Sequence, residues 1–289
     1  MNEKVMKWPG DAKVALSVVV NVEEGAEGSL LDGDKGMEPV DELGIFVKGP
    51  LRNFGNESNY QYGIKAGFPR VSKLLDKYDI KATWTTCALA LERAPQIAAY
   101  IRDRGHEACS HGWRWQAQHR MEEDQEREYI RKAVTSIERT TGTRPYGWLS
   151  RYLHTENTRR LLAEEGFTYH MDDFSDDVPF WEDVAGKPFV IMPYALDSND
   201  MKFWTDPALT PDQWLKYATD TFDWLYEEGN AGEPKIMSLG LHLRVIGRPG
   251  RIGAFEAFLK HVRARQGVWV ATRLEMAQSF AQQQPSSAT

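Results

Sequence analysis

The groups in this sequence best suited to moving protons are two adjacent acids, Glu23 and Glu24, and two distant histidines, His111 and His242. Two carboxylates crowded into a dry cavity push one pKa upward, which yields a general base poised near neutrality. The simpler reading is that Glu24 pairs with an arginine such as Arg114 or Arg151 and only shapes its surroundings. Neighbouring strand residues point to opposite faces. Both acids therefore reach one cavity only where strand has become loop, a turn that Gly25 permits. His111 lies in Glu107-Ala-Cys-Ser-His-Gly-Trp-Arg-Trp-Gln116, read as a short strand with the histidine at its carboxyl end and tryptophans beyond. That placement suits an aromatic-lined pocket for a small polar molecule; a core histidine bonded to a backbone carbonyl is the plainer alternative. No second histidine stands four residues on, where Trp115 is found; His119 comes eight on. Glu24, His111 and His242 could make an open three-ligand zinc site, but nothing in their spacing demands one. No Gly-x-Ser-x-Gly motif occurs, and Ser110 and His111, adjacent on one strand, cannot pair side chain to side chain.

The elements that must position these groups alternate along the chain. Residues 13–20 are a β-branched apolar run, read as a strand buried on both faces as in a parallel sheet. Residues 25–65 show little periodicity and read as a long surface excursion, a lid or an oligomer contact. Further strands are expected at 82–88, 107–110, 144–149, 168–171, 189–194, 236–241 and 268–272. Helices are expected between them at 69–78, 95–104, 121–140, 157–165, 211–228, 249–265 and 274–280, several stopped by a glycine. Residues 282–289 are polar and read as a disordered tail after a single domain of residues 1–281. Strands alternating with helices, with no composition break, predict one α/β barrel. A doubly wound open sheet is the alternative, and against it no glycine-rich phosphate loop follows the first strand.

In such a barrel the active site forms at the carboxyl ends of the strands. Those ends carry Asn21, Glu23 and Glu24; Thr86 and Cys87; His111; Trp148, Ser150 and Arg151; Asp172 and Asp173; Asp197, Asn199 and Asp200; and His242 with Arg244. So many polar and proton-moving groups in register point to an enzyme. Glu23, Glu24, His111 and His242 are the catalytic candidates. Asn21, Trp115, Trp148, Arg151, Asp172, Asn199 and Arg244 are the candidates for holding a substrate.

A net charge of −7 argues against nucleic acid or an anionic membrane as partner. The first eight residues lack the apolar run of a signal peptide, and two cysteines, Cys87 and Cys109, make no disulfide framework. A cytoplasmic protein is expected. The long excursion suggests a homo-oligomer.

Several stretches carry a family likeness. They are Trp8-Pro-Gly-Asp-Ala12, Asn21-Val-Glu-Glu-Gly-Ala-Glu27, Gly105-His-Glu-Ala-Cys-Ser-His-Gly-Trp-Arg-Trp115 and Arg144-Pro-Tyr-Gly-Trp148. Later come Asp172-Asp173, Asp176-Asp-Val-Pro-Phe-Trp181, Asp197-Ser-Asn-Asp-Met201 and Gly240-Leu-His-Leu-Arg-Val-Ile-Gly-Arg-Pro249. With these the chain resembles the polysaccharide deacetylases of the NodB-homology type, and among them the PuuE-type allantoinase branch. The resemblance implies a distorted (β/α)7 barrel. In the sugar deacetylases the first strand ends in two aspartates, a base and a metal ligand, whose positions here are Glu23 and Glu24. Two histidines four apart complete the metal site there; here the positions hold His111 and Trp115. A late histidine acting as acid matches His242. Two of three ligand positions are thus changed, one to a side chain that cannot coordinate, so the resemblance implies no metal cofactor; zinc is the alternative. The segment Leu149-Ser-Arg-Tyr-Leu-His-Thr-Glu-Asn157 departs from the allantoinases, which carry a Gly/Thr-rich turn and Gly-Pro-Asn there. The expected activity is hydrolysis of a C–N bond in a small cyclic amide or ureide. The alternatives are metal-dependent N-deacetylation of an amino sugar and a barrel that binds without turnover.

Overall fold

The computed structural model describes residues 6–286. Its strands are β1 (Val14–Val22), β2 (Ala82–Thr86), β3 (Glu107–Ser110), β4 (Gly147–Trp148), β5 (Tyr169–His170), β6 (Phe180–Val184), β7 (Lys187–Ile191), β8 (Lys235–His242) and β9 (Val268–Val270). They form one curled sheet in the order β6-β7-β5-β4-β3-β2-β1-β8, with β9 beside the first half of β1. Among the described strands only β6 and β7 pair antiparallel. A bridge between Asn199 and Gly240 ties the segment after β7 to β8 and draws the open side of the curl together. The helices outside it are α1 (Phe54–Tyr62), α2 (Phe68–Lys77), α3 (Ala88–Arg93), α4 (Pro95–Asp103), α5 (Glu123–Thr141), α6 (Thr158–Glu164), α7 (Pro211–Asn230), α8 (Leu243–Ile246), α9 (Pro249–Arg263) and α10 (Arg273–Gln283). This is the distorted single-domain (β/α) barrel that the sequence predicts. Among the described residues no helix is long and apolar enough to cross a membrane.

Strand parity sorts the side chains. Val14, Leu16, Val18, Val20 and Val22 of β1 join an outer core under the helices. Ala15 and Val19 join a second core inside the curl, with Cys109, Tyr169, Met171 and Ile236. Both faces are buried, which is why β1 is apolar throughout. Carried past the strand end, the alternation turns Asn21 and Glu23 inward and Glu24 outward. On β8 it puts Met237, Leu239 and Leu241 outside, so His242 faces in; on β3 Cys109 lies inside, and His111 follows it. Register then levels the ends: Asn21 pairs with both Thr85 and His242, and Thr86 with Ser110.

Several expectations are corrected. Residues 54–65 are not loop, because α1, a π-helical turn at Gly63–Gly67 and α2 run on as one helix. The expected strand at 82–88 ends at Thr86, and α3 begins at Ala88. The strand at 189–194 is the second arm of a hairpin whose first arm, β6, the sequence does not announce. The last helix reaches Gln283, into the expected tail. Residues 287–289 of that tail, and residues 1–5 of the N-terminal stretch, lie outside the described residues.

Candidate active site

Glu23 is the hub, 1% exposed. Its Oε2 accepts from Arg244 Nη1 at 2.7 Å, and its Oε1 lies 3.4 Å from His242 Nε2 and 3.5 Å from His111 Nε2. On the far side of His242, Nδ1 meets Asp200 Oδ1 at 2.7 Å. Asp200 Oδ2 accepts the backbone amides of His242 and Ile246, at 2.7 and 3.1 Å, so the carboxylate also caps the single turn of α8. Burial alone would lower the pKa of His242, but Glu23 and Asp200 outweigh it and carry the imidazole up to about 10. Burial would likewise raise Glu23; Arg244 and His242 outweigh it and hold the carboxyl well below the usual range. At neutral pH the pair is a carboxylate beside an imidazolium.

His111 is held differently. Its Nδ1 lies 2.6 Å from the Leu149 carbonyl and its Nε2 3.2 Å from the indole nitrogen of Trp115. A carbonyl only accepts and an indole N–H only donates. Nδ1 therefore carries the proton, and Nε2 turns its lone pair to Trp115.

Glu24 is fully buried and points away from this cluster. Its Oε2 accepts the Glu23 amide at 3.1 Å and its Oε1 the Arg244 amide at 3.0 Å, so it fastens the exit of β1 to α8. Burial raises its pKa beyond what Arg244 takes away, and the charge of Glu23 adds to the rise. Arg244 itself is sandwiched: its guanidinium centre is 4.3 Å from the Tyr60 ring centroid and 5.5 Å from that of Trp115. Among the described residues its Nε and Nη2, both buried, have no hydrogen-bond partner.

The remaining expected residues, Trp148 excepted, surround this cluster. Arg151 lies 3.9 Å above the Trp115 ring and donates to the Trp115 carbonyl and to Glu38. Asn21 ties three strands together, donating to the Leu241 carbonyl and accepting from Thr85. Asn199 donates to the Tyr194 hydroxyl and caps the turn that carries Asp200. Asp172 accepts the Ser150 amide and meets His170. Trp148 does not line the mouth. The parity that brings Glu23 in sends Trp148 out, where it packs edge-on against Tyr129 and Phe167. Sequence reasoning left Asp200 among the strand ends without a role, and missed Tyr60 and Glu38, which sit in the segment without periodicity.

An open zinc site takes three converging protein ligands. Here the Nε2 of His111 already serves Trp115, and both oxygens of Glu24 serve backbone amides. The set Glu24, His111 and His242 does not assemble. Among the described residues no three His, Cys, Asp or Glu side chains group as metal ligands. These residues do not fit the metal site that the sugar deacetylases imply.

The polysaccharide deacetylase family profile matches residues 58–170. A Schizosaccharomyces pombe protein assigned to the polysaccharide deacetylases is 36% identical over 302 residues, spanning 97% of this chain and 94% of its own. The chain belongs to the polysaccharide deacetylase family. Among solved structures, a Pseudomonas aeruginosa PAO1 protein assigned to the same family is 40% identical with a TM-score of 0.94, covering 99% of this chain and 97% of its own. The PuuE allantoinase is also 40% identical with a TM-score of 0.94, covering 99% and 96%. The Helicobacter pylori peptidoglycan deacetylase is 26% identical, covering 83% of this chain and 94% of its own. Within the polysaccharide deacetylase family the chain falls in the PuuE branch, and it is a hydrolase of carbon–nitrogen bonds.

Proposed function

We propose that the protein opens the C–N bond of a small cyclic amide, imide or ureide, such as allantoin, with water and without a metal. The observation that carries this reading is the line Glu23, His242, Asp200, set beside a His111 whose Nε2 is taken by Trp115. The 40% identical PuuE allantoinase supports the substrate class. As the C–O bond forms, Glu23 takes a proton from the attacking water. As the C–N bond breaks, His242 passes its proton to the ring nitrogen. The proton on Glu23 then recharges His242, and the new acid gives its own proton to solvent and departs as a carboxylate. The oxyanion falls to Arg244, whose Nε and Nη2 have no other partner among the described residues, rather than to Arg151, which Glu38 and Trp115 engage. One such donor is worth about a hundredfold or more in kcat. A carboxylate held as low as Glu23 is a weak base, so the acid and the oxyanion donors bear most of the work. That favours a carbonyl activated by ring strain or a second carbonyl over an unactivated acetamide.

Glu23→Gln and His242→Ala are each expected to cut kcat on a ureide by about a hundredfold or more, with unchanged circular dichroism. Wild-type turnover in both would remove the assignment. Metal-dependent N-deacetylation of an amino sugar is the second reading, favoured by the Helicobacter pylori relative. Elemental analysis and assays of hydantoins, ureides, imides and acetylated sugars, with zinc and after chelation, separate the two. We assign the protein to the cytoplasm on its two free, buried thiols, Cys87 and Cys109. We also assign it as a homo-oligomer, on the exposed apolar side chains Leu43, Ile45, Phe46 and Phe54. Its net charge of −7 does not suit nucleic acid or an anionic membrane.

A further inference from the structure

Leu149 and Ser150 share one peptide bond, and its two ends are gripped by different groups. The carbonyl accepts from His111 Nδ1 at 2.6 Å, while the N–H donates to Asp172 Oδ2 at 2.7 Å. The same Asp172 oxygen lies 2.5 Å from His170 Nε2. His170 is fully buried, its ring edge-on to His154 with centroids 5.3 Å apart, and its Nδ1 has no partner among the described residues. A proton on that Nδ1 would be a buried donor left unmet, which is costly. The proton stays on Nε2, and His170 donates to Asp172.

A peptide's N–H and C=O are joined by resonance. A carboxylate drawing on the N–H moves electron density onto the carbonyl oxygen, which then accepts more strongly. We infer that Asp172, oriented by His170, acts on His111 through this peptide, as a carboxylate–imidazole pair with one peptide unit inserted. The contrast with His242 gives the device its purpose. His242 touches Asp200 directly and becomes a cation. His111 gains orientation and a fixed tautomer through the peptide, and its Nε2 keeps the lone pair that meets Trp115. Glu23 thereby has an acidic histidine on one side and a proton-free ring nitrogen on the other. Asp172 and His170 are positioning residues. Neither was assigned this part by the sequence, which offered Asp172 only as a substrate contact.

The inference rests on the amidohydrolase reading for its kinetic arm alone. The test uses full-length protein labelled with 15N-histidine, with the His111 ring signals assigned by their loss in His111→Gln. Wild type is expected to show Nδ1 protonated and Nε2 bare. Asp172→Asn keeps an oxygen acceptor and removes the charge. The His111 Nδ1–H resonance is then expected to move upfield, with kcat down about tenfold and KM unchanged. His170→Phe relieves Asp172 of its second donor and is expected to move the same resonance downfield. A His111 protonated at Nε2 in wild type overturns the inference. So does a resonance that stays put, or that moves the same way in both variants. If Asp172→Asn does not fold, the His170→Phe shift decides. Absence of ureide turnover in wild type counts against the proposed reaction and leaves the resonance arm standing.

Discussion

His242 owes its charge to company, since burial works against it. Taking away one of its two carboxylates should therefore bring it down. Asp200→Asn is expected to shift the alkaline limb of kcat from near about 10 toward the ordinary imidazole range and to lower kcat about a hundredfold. A pH–rate profile checks this; an unmoved limb would mean that another group sets it. The same shift stabilises the fold. The folded pKa lies above the unfolded value of 6.5, so the contribution is complete below that pH and is lost as pH rises through about 10. For Glu23 the sign reverses: its contribution is present above the ordinary value of 4.5 and is lost as pH falls through its depressed folded pKa. Denaturant midpoints should thus fall in wild type as pH rises from 6.5 to about 10, and fall less in His242→Gln. At this scale the sequence shows which strand ends carry the site, but it leaves Glu23 and Glu24 both open and offers Trp148 as a substrate contact. Strand parity resolves these once the structure gives the strand bounds: the inward run at Ala15, Val19 and Asn21 carries on to Glu23, and Trp148 packs in the outer core. What parity does not reveal is the partner of each group, because Asp200, Tyr60 and Glu38 come from segments outside the strands.

The helix formed by α1, the π-helical turn and α2 approaches the catalytic elements with nothing between. A Cβ on Gly67 would lie 2.0 Å from the Leu243 carbonyl oxygen, and one on Gly63 2.4 Å from Glu24 Oε1. Gly67→Ala must push this helix away from the residue that follows His242. It is expected to cost about 1–3 kcal/mol, seen as a lower Tm, with a fall in kcat as His242 is displaced. A wild-type Tm would mean that the helix moves without cost. This close approach also explains why the first part of the helix, unlike 69–78, is hidden in the sequence. The buried face of α1 and the π-helical turn is Asn56, Tyr60, Gly63 and Gly67, with a single large side chain, whereas helices are read from apolar spacing. β1 and β8 announce themselves because both of their faces are buried. β4 and β5 are two residues each and have no pattern of their own; only their place between helices betrays them.

The segment ahead of that helix has two unlike sides. Inward, Asp32 pairs with Arg93 and Asp34 with Arg114, each at 2.5 Å, and Glu38 grips Arg151 over Trp115. Outward, Leu43, Ile45, Phe46, Val47, Leu51 and Phe54 are between 48% and 80% exposed. A monomer gains nothing from that outer face, but a neighbouring copy would cover it and press the segment onto the mouth. Replacing Ile45 and Phe46 together by Asp is expected to reduce the proposed homo-oligomer to a monomer in light scattering. KM should rise, because the strap is then held by its inner ion pairs alone. Thermal stability should change little, since about half of each side chain already lies in solvent. Glu38→Gln is the complement: it loosens the inner grip, so KM should rise while the mass in solution stays that of wild type. A wild type that is monomeric at every concentration would sink the interface. A rise in KM for Glu38→Gln alone would then assign retention of substrate to the inner clasp.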